Sequence, residues 1–273
     1  MNVAIVTASS SATAPAEARD AVLVSGSYGG TYNAWHTLRK GARAVILNDA
    51  GIGKNGAGIA GLAWLDVLGV PGATADCMSC HIGDGDHMLA HGRISRVNAA
   101  AAALGCVAGE PVTDCAAKLR RAAPYRGVPP EIAGGKRHVI RDNAGERRIL
   151  ALDAAPLLTA DDAGAIAITG SHAALFRGQP DGVISVDLYA AFFNDAGIGL
   201  DRAGVSRLAD LDRRGMIAAT VSAASAEIGN ARDAYATGII SVVNETAARA
   251  GIAPGHRLEE VALRLAGSST ARR

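Results

Sequence analysis

Asn48-Asp49-Ala50-Gly51-Ile52-Gly53 returns without change as Asn194-Asp195-Ala196-Gly197-Ile198-Gly199. From this anchor the register holds with no gap over 48–105 against 194–251, and about half of the paired positions are identical. Chance does not produce a match of that length, so the chain is read as an internal duplication. Thr74/Thr220, Ser79/Ser225, Gly83/Gly229, Ser95/Ser241 and Asn98/Asn244 are among the retained pairs. Upstream, after a shift of two residues, Ser25-Gly26-Ser27 aligns with Thr169-Gly170-Ser171. The repeat therefore covers nearly the whole chain, as a first copy at 1–120 and a second at 147–266. Between them, 121–146 reads as a linker marked by Pro129-Pro130 and Gly134-Gly135, and 267–273 reads as a flexible tail.

Each copy alternates short apolar runs with helical patterns. The strands are expected at 3–6, 21–24 and 44–47 with a third buried strand ending near Thr74, and at 149–152, 165–168 and 190–193 with its counterpart ending near Thr220. A helix follows the Ser/Gly loop in the first copy. Another carries Leu62 and Leu65, matched by Leu208 and Leu211. A last long helix is expected at about 88–104 and 234–250. Strands alternating with helices imply an α/β fold with a mainly parallel sheet, and duplication implies pseudo-twofold related halves.

Composition bounds the function. A hydrophobic share of 49% over 273 residues fills a core, and a net charge of +1 with few aromatics argues against disorder and against nucleic acid as a partner. No apolar run approaches the roughly 20 residues that span a bilayer, and the first residues lack the basic start of a secretory signal. The expectation is a cytoplasmic protein with no membrane partner. Cys77, Cys80, Cys106 and Cys115 all fall in the first copy, so they do not form a framework shared by both, and reduced thiols are expected. Homo-oligomerisation stays open.

In open α/β sheets ligands bind at the carboxyl ends of strands, where three Gly/Ser/Asn/Asp-rich loops fall in each copy. In the first, Ser25-Gly26-Ser27-Tyr28-Gly29-Gly30 offers Ser25 and Ser27 hydroxyls and the paired N–H groups of Gly29 and Gly30 for a phosphate or an oxyanion. The second loop carries Asn48 and Asp49, matched by Asn194 and Asp195. Such carboxylates serve as bases, ligand anchors or turn caps. Lys54 is expected to keep Asp49 ionised, whereas Asp201 sits beside Asp195, so the two acids are expected to differ in role. The third loop holds Cys77, Ser79, Cys80, His81 and Asp84. Ser79 and its match Ser225 read as nucleophiles, ligand-binding hydroxyls or helix caps, and Cys77 with His81 as a thiol and its base. Although Cys80, His81, Asp84, Asp86 and His87 are metal-ligand types, the spacing lacks a second paired cluster, and no metal is assigned.

Gly51-Ile52-Gly53-Lys54-Asn55-Gly56 spells a dinucleotide fingerprint, with Asp76 at roughly the spacing of about 20 residues that the motif requires. Copy two replaces the third glycine with Arg202 and the acid with Ser222. The reading is an enzyme on a small polar metabolite, favouring hydrolysis of an amide or ester-like bond. Gly29 and Gly30 then serve as oxyanion donors, Asp49 as base or anchor, and Ser27, Ser79 or Cys77 as nucleophile, with the first copy the working one. The alternatives are a nucleotide-dependent oxidoreductase using the 51–56 loop and a non-catalytic small-ligand-binding protein. The cofactor is left unknown.

Overall fold

The computed structural model describes residues 3–132, 135–180 and 182–267. The first half runs β1 (Ile5–Ala8), β2 (Val22–Tyr28), α1 (Thr31–Arg39), β3 (Ala44–Asn48), α2 (Gly61–Val67), β4 (Gly72–Ala75), α3 (Gly85–His91), β5 (Ile94–Val97), α4 (Ala99–Ala103) and α5 (Val112–Leu119). After β6 (Arg137–Arg141), the second half runs β7 (Ile149–Leu152), β8 (Ile166–His172), β9 (Ala190–Asn194), α6 (Arg207–Arg213), β10 (Ile217–Val221), α7 (Ala231–Thr237), β11 (Ile240–Val243), α8 (Glu245–Arg249) and α9 (Leu258–Gly267). The strand order is β1-β2-β3-β4-β5 in one sheet and β11-β10-β9-β8-β7-β6 in the other. Within each half the strands are parallel except the last, β5 or β11, which is antiparallel to its neighbour. Two mostly parallel sheets of five and six strands, alike in order apart from β6 and flanked by helices, make an α/β fold whose similar halves are consistent with duplication.

Strand burial follows from helices on both faces. Ala44, Val45, Ile46, Leu47 and Asn48 of β3 are all buried, as a parallel strand covered on two sides requires. Alternate residues take opposite faces: Ala44 and Ile46 pack with Met88, Val112 and Leu119, while Val45 and Leu47 pack with Ala34, Leu38 and Leu65. The second half repeats the scheme with one substitution. Where α1 would lie, its β9 residues Ala191 and Phe193 meet Ile184, Val186 and Leu188 from a non-helical segment. Gly61 and Arg207, a matched pair, record the same difference. Each donates its N–H at 2.8 Å to the equivalent carbonyl, Gly29 O or Ala173 O. A Cβ at Gly61 would stand 2.9 Å from Ala34 Cβ of α1, whereas Arg207 is buried and donates to Ala174 O at 2.6 Å.

The long helices expected at 88–104 and 234–250 are each broken into helix, strand and helix. Gly92 and Gly238 end the first pieces. The apolar spacing that read as helical belongs partly to β5 and β11, and Asn98 and Asn244 then restart a helix by accepting from Ala101 N and Ala247 N. The same two side chains donate to Val70 O and Met216 O and accept from Gly72 N and Ala218 N, so each pins its antiparallel strand to its parallel sheet. Within 121–146, β6 forms the outer strand of the second sheet, antiparallel to β7. The expected flexible tail lies, from residue 268 on, outside the described residues. Among those residues no helix is long and apolar enough to cross a membrane.

A forked ion pair anchors β6. Arg137 donates through both terminal nitrogens to the two oxygens of Asp162, at 2.6 Å each, and the Asp162 side chain is fully buried. These bonds, foremost, hold the Asp162 carboxyl at about 2, below its ordinary 3.8. A depressed carboxyl stabilises the fold fully above its unfolded value and ceases to as pH falls from about 4 toward 2. Asp162→Asn is expected to lower stability at pH 7 by on the order of 2 kcal/mol, with the deficit shrinking toward pH 2 in urea titrations. A deficit unchanged across that range would show that the ion pair does not secure β6.

Candidate functional site

The repeated hexapeptide lies on the pseudo-twofold axis. Ala50, Gly51, Ile52 and Gly53 have φ of 49°, 72°, 64° and 69°, and the matched residues of copy two have 50°, 73°, 63° and 72°. Such a run is left-handed, costing about 1–2 kcal/mol at each non-glycine residue. It persists because the turn is held from several sides. Asn48 Oδ1 accepts from Ala50 N at 2.9 Å, and Asp49 Oδ1 accepts from Gly51 N and Cys77 N at 3.0 Å. Asn194 and Asp195 do the same for Ala196, Gly197 and Ala223. The twin turns then touch: a Cβ on Gly51 would stand 2.9 Å from the Cα of Gly197, and one on Gly197 equally close to Gly51. Two backbone bonds related by the axis close the joint, Lys54 N to Ala223 O at 2.7 Å and Leu200 N to Cys77 O at 2.8 Å.

This geometry places the sequence-selected residues. Asp49 and Asp195, buried alike and bonded alike, stitch one strand-end loop to the next. Lys54 Nζ is 2.7 Å from Asp233 in the other half, so it does not serve Asp49 as expected. The N–H groups of Gly51, Ile52, Gly53, Lys54 and Gly56 are all engaged, on Asp49 Oδ1, Asp49 O, Gly51 O, Ala223 O and Gly53 O. They form no phosphate nest. Gly29 N donates to Asn48 O, and its lack of a Cβ admits Gly58 O, which such an atom would meet at 2.6 Å. Ser79 Oγ donates to Asp76 O and accepts from Arg93 N, and Ser225 repeats this with Ser222 O and Ile239 N. Both hydroxyls thus tie a loop to the start of the antiparallel strand. Cys77 is buried, and burial first, then Asp49 and Asp76, pushes its thiol up to about 12, far from a thiolate at neutral pH. His81 Nε2 lies 2.9 Å from Asp201 across the joint, and Asp84 caps α3 through Asp86 N and His87 N. Ser25 is buried, its hydroxyl 3.1 Å from that of Ser11.

Lys54 and Asp195 line an open groove of about 560 Å³ at the joint, whereas Ser27 and Gly30 line the cleft between the halves beside the ends of β2 and β8. One chamber, about 210 Å³, has Ser27, Tyr28, His36, Ser171 and His172 on its polar side and Tyr32, Leu157, Phe176 and Val183 on its apolar side. Ser27 and Ser171 are matched residues, and each hydroxyl accepts a backbone N–H at 2.9 Å, from Ser11 or Ala155. A second chamber, about 360 Å³, adjoins it through the shared walls Tyr28, Tyr32 and Asp153, and adds Gly30, Lys136, His138, Glu227 and Arg232. At the image of this second chamber in the other half, a Cβ on Gly83 would meet Leu175 O at 2.9 Å and Phe176 at 3.5 Å, and Arg177 pairs with Asp86 at 3.0 Å.

Two groups in the cleft have shifted protonation. Burial, with Arg39 and Lys40 nearby, lowers the pKa of His36 and favours the neutral imidazole. Burial, and then Asp153, raises that of Tyr28, so the phenol keeps its proton. Sequence reasoning missed Tyr28, His36, His172 and Asp153. Tyr28 and His172 were within reach, since they are matched but unlike residues directly after the retained Ser27/Ser171.

The joint makes a specific prediction. Gly51→Ala and Gly197→Ala each add a clashing Cβ to a left-handed residue, so each is expected to cost roughly 2–4 kcal/mol. Gly69→Ala, also at positive φ but with open space around it, is expected to cost about 1 kcal/mol. Equal losses for all three in chemical denaturation would show that the contact on the axis does not hold the halves together.

With this geometry in place, comparison of the chain with protein-family models, with curated proteins and with solved structures finds no match.

Proposed function

We propose that the chain is an enzyme acting on a small metabolite in the cleft between its halves, and that its reaction is hydrolysis of an ester- or amide-like bond. One observation supports this above the others: a neutral imidazole, His36, two serine hydroxyls, Ser27 and Ser171, and a protonated phenol, Tyr28, line the same partly apolar chamber. Neutral His36 is fit to take a proton from water or from the Ser27 hydroxyl as either attacks a carbonyl carbon. Tyr28, which keeps its proton, is fit to donate a hydrogen bond to the oxygen that gains charge in that step. Nucleotide-dependent redox chemistry in the 51–56 loop has less support, because the N–H groups that would cradle a pyrophosphate are engaged inside the joint.

Turnover of a panel of small esters, amides and phosphate esters tests the proposal. Ser27→Ala, His36→Ala and Tyr28→Phe are each expected to reduce turnover at least about 100-fold, the usual scale for a lost proton-transfer or oxyanion group, with circular dichroism unchanged. The base must be unprotonated to act. Activity is therefore expected to rise as pH passes upward through a His36 pKa below 6.5 and then to stay level, since the raised Tyr28 pKa removes any loss below 10. Turnover that survives all three substitutions would move the chemistry elsewhere.

A further inference from the structure

We propose that the second chamber of the cleft is an oxyanion seat, and that the substrate is a small organic anion, a phosphate ester or a carboxylate, whose apolar body fills the first chamber. The inference rests on the reading of the cleft as the substrate site and specifies what that site takes. It starts from the state of the charged groups lining the second chamber. Its two acids are already engaged: Asp153 accepts from Ala231 N at 3.2 Å through one oxygen and from Lys136 N at 3.1 Å through the other. Glu227 accepts from Asn55 Nδ2 at 2.7 Å and from Asn230 Nδ2 at 3.0 Å. Its cations are not engaged: among the described residues the side chains of Lys136 and Arg232 make no hydrogen bond and no ion pair, and neither does that of His138. The hydrogen bonds to Asp153 and Glu227 come from neutral donors and leave both acids charged, so what favours an oxyanion is that the exposed Lys136 and Arg232 turn to it without giving up an internal partner.

The neighbouring chamber adds the second half of the specificity. Leu157, Phe176, Val183 and the ring of Tyr32 give it apolar surface. A hydrophilic anion alone leaves that surface wetted, whereas an anion with an aromatic or branched body buries it. The two chambers are neighbours with Tyr28, Tyr32 and Asp153 in both walls, with the head group of the substrate assigned to one and its body to the other. Both cations come from segments with no like residue in copy one: Lys136 lies just before β6, which has no counterpart among the described residues of copy one, and Arg232 is matched by Asp86. Asp86, which reverses the charge of the equivalent position, in turn pairs with Arg177. Only one of the two pseudo-symmetric chambers is therefore equipped for an anion.

Calorimetric titration of the full chain with phenyl phosphate, phenylacetate, inorganic phosphate and uncharged 2-phenylethanol tests the assignment. Phenyl phosphate or phenylacetate is expected to bind at least about 10-fold more tightly than either 2-phenylethanol or inorganic phosphate, the tighter of the first two naming the head group. Added salt is expected to weaken that binding. Lys136→Gln combined with Arg232→Gln alters two exposed side chains, and is expected to reduce affinity for the anionic probe by about 10-fold or more while leaving 2-phenylethanol and the melting temperature unchanged. An anionic probe bound equally well by the double variant, or no binding of either aromatic anion, overturns the anion assignment. If 2-phenylethanol alone binds and Phe176→Ala weakens it, the cleft stands as the site and only the anion assignment falls. Loss of the cleft reading itself would show differently, as esterase, amidase or phosphatase turnover indifferent to Ser27, His36 and Tyr28.

Discussion

Two backbones meet at the centre of this molecule with no side chain between them. Gly51 and Gly197 approach so closely that neither position admits a Cβ, and both sit inside left-handed runs that include Ala50, Ile52, Ala196 and Ile198. Left-handed alanine and isoleucine are unfavourable in isolation. Here each run is held by the Asn-Asp pair before it and by the opposite half through Lys54 N–Ala223 O and Leu200 N–Cys77 O. The hexapeptide must therefore satisfy its own turn and its own image at once. A change in one copy is felt by both, which gives a physical reason for its identity in the two copies when about half of the aligned positions around it have changed.

Away from the axis the halves differ, and the differences collect on one side. Copy one has α1, with Gly61 small enough to sit beneath it, and copy two has a non-helical segment with Arg207 filling part of the space. Copy two has β6 along its outer edge, and among the described residues copy one has no strand in that place. The polar chamber is bordered by α1 from one half and by the approach to β6 from the other. Symmetry builds the scaffold, and the departures from symmetry set one chamber apart from its image.

The duplication and the mainly parallel strands were legible because they rest on local runs such as Ala190-Ala191-Phe192-Phe193 and on an ungapped match, whereas the order of the strands came only with the structure. The antiparallel strands β5 and β11 were not legible. Ile94 and Val97 are spaced three apart, which suits a helix as well as a short strand, and only the long-range bonds of Asn98 decide between them. Of the residues selected as a site, Ser27 and Gly30 line the cleft. The others follow a rule the sequence does not display: a polar residue retained between two fused copies can be kept by the contact between the copies as readily as by a ligand. The retained Asp49 lies at the joint and the retained Ser79 bonds the loop beside it, while Lys54 and His81, which are not retained, bridge the joint through Asp233 and Asp201. Lys136 was hidden for the opposite reason, since it lies in a stretch that resembles nothing in the other copy and carries the Gly/Pro signature of a connector.

The joint consists of a few glycines, two backbone bonds, the ion pairs around them and an apolar cluster that takes Ala50 and Ile82 from one half and Ala174, Ala196 and Ile228 from the other. Between separate molecules such a contact would have to overcome the loss of free translation and rotation. Covalent continuity through 121–146 removes that requirement. The partner surface is always present at an effective concentration set by the covalent connection. Docking of the halves is then a first-order event, insensitive to dilution and to the abundance of the protein. The cleft draws its lining from both halves of the same chain.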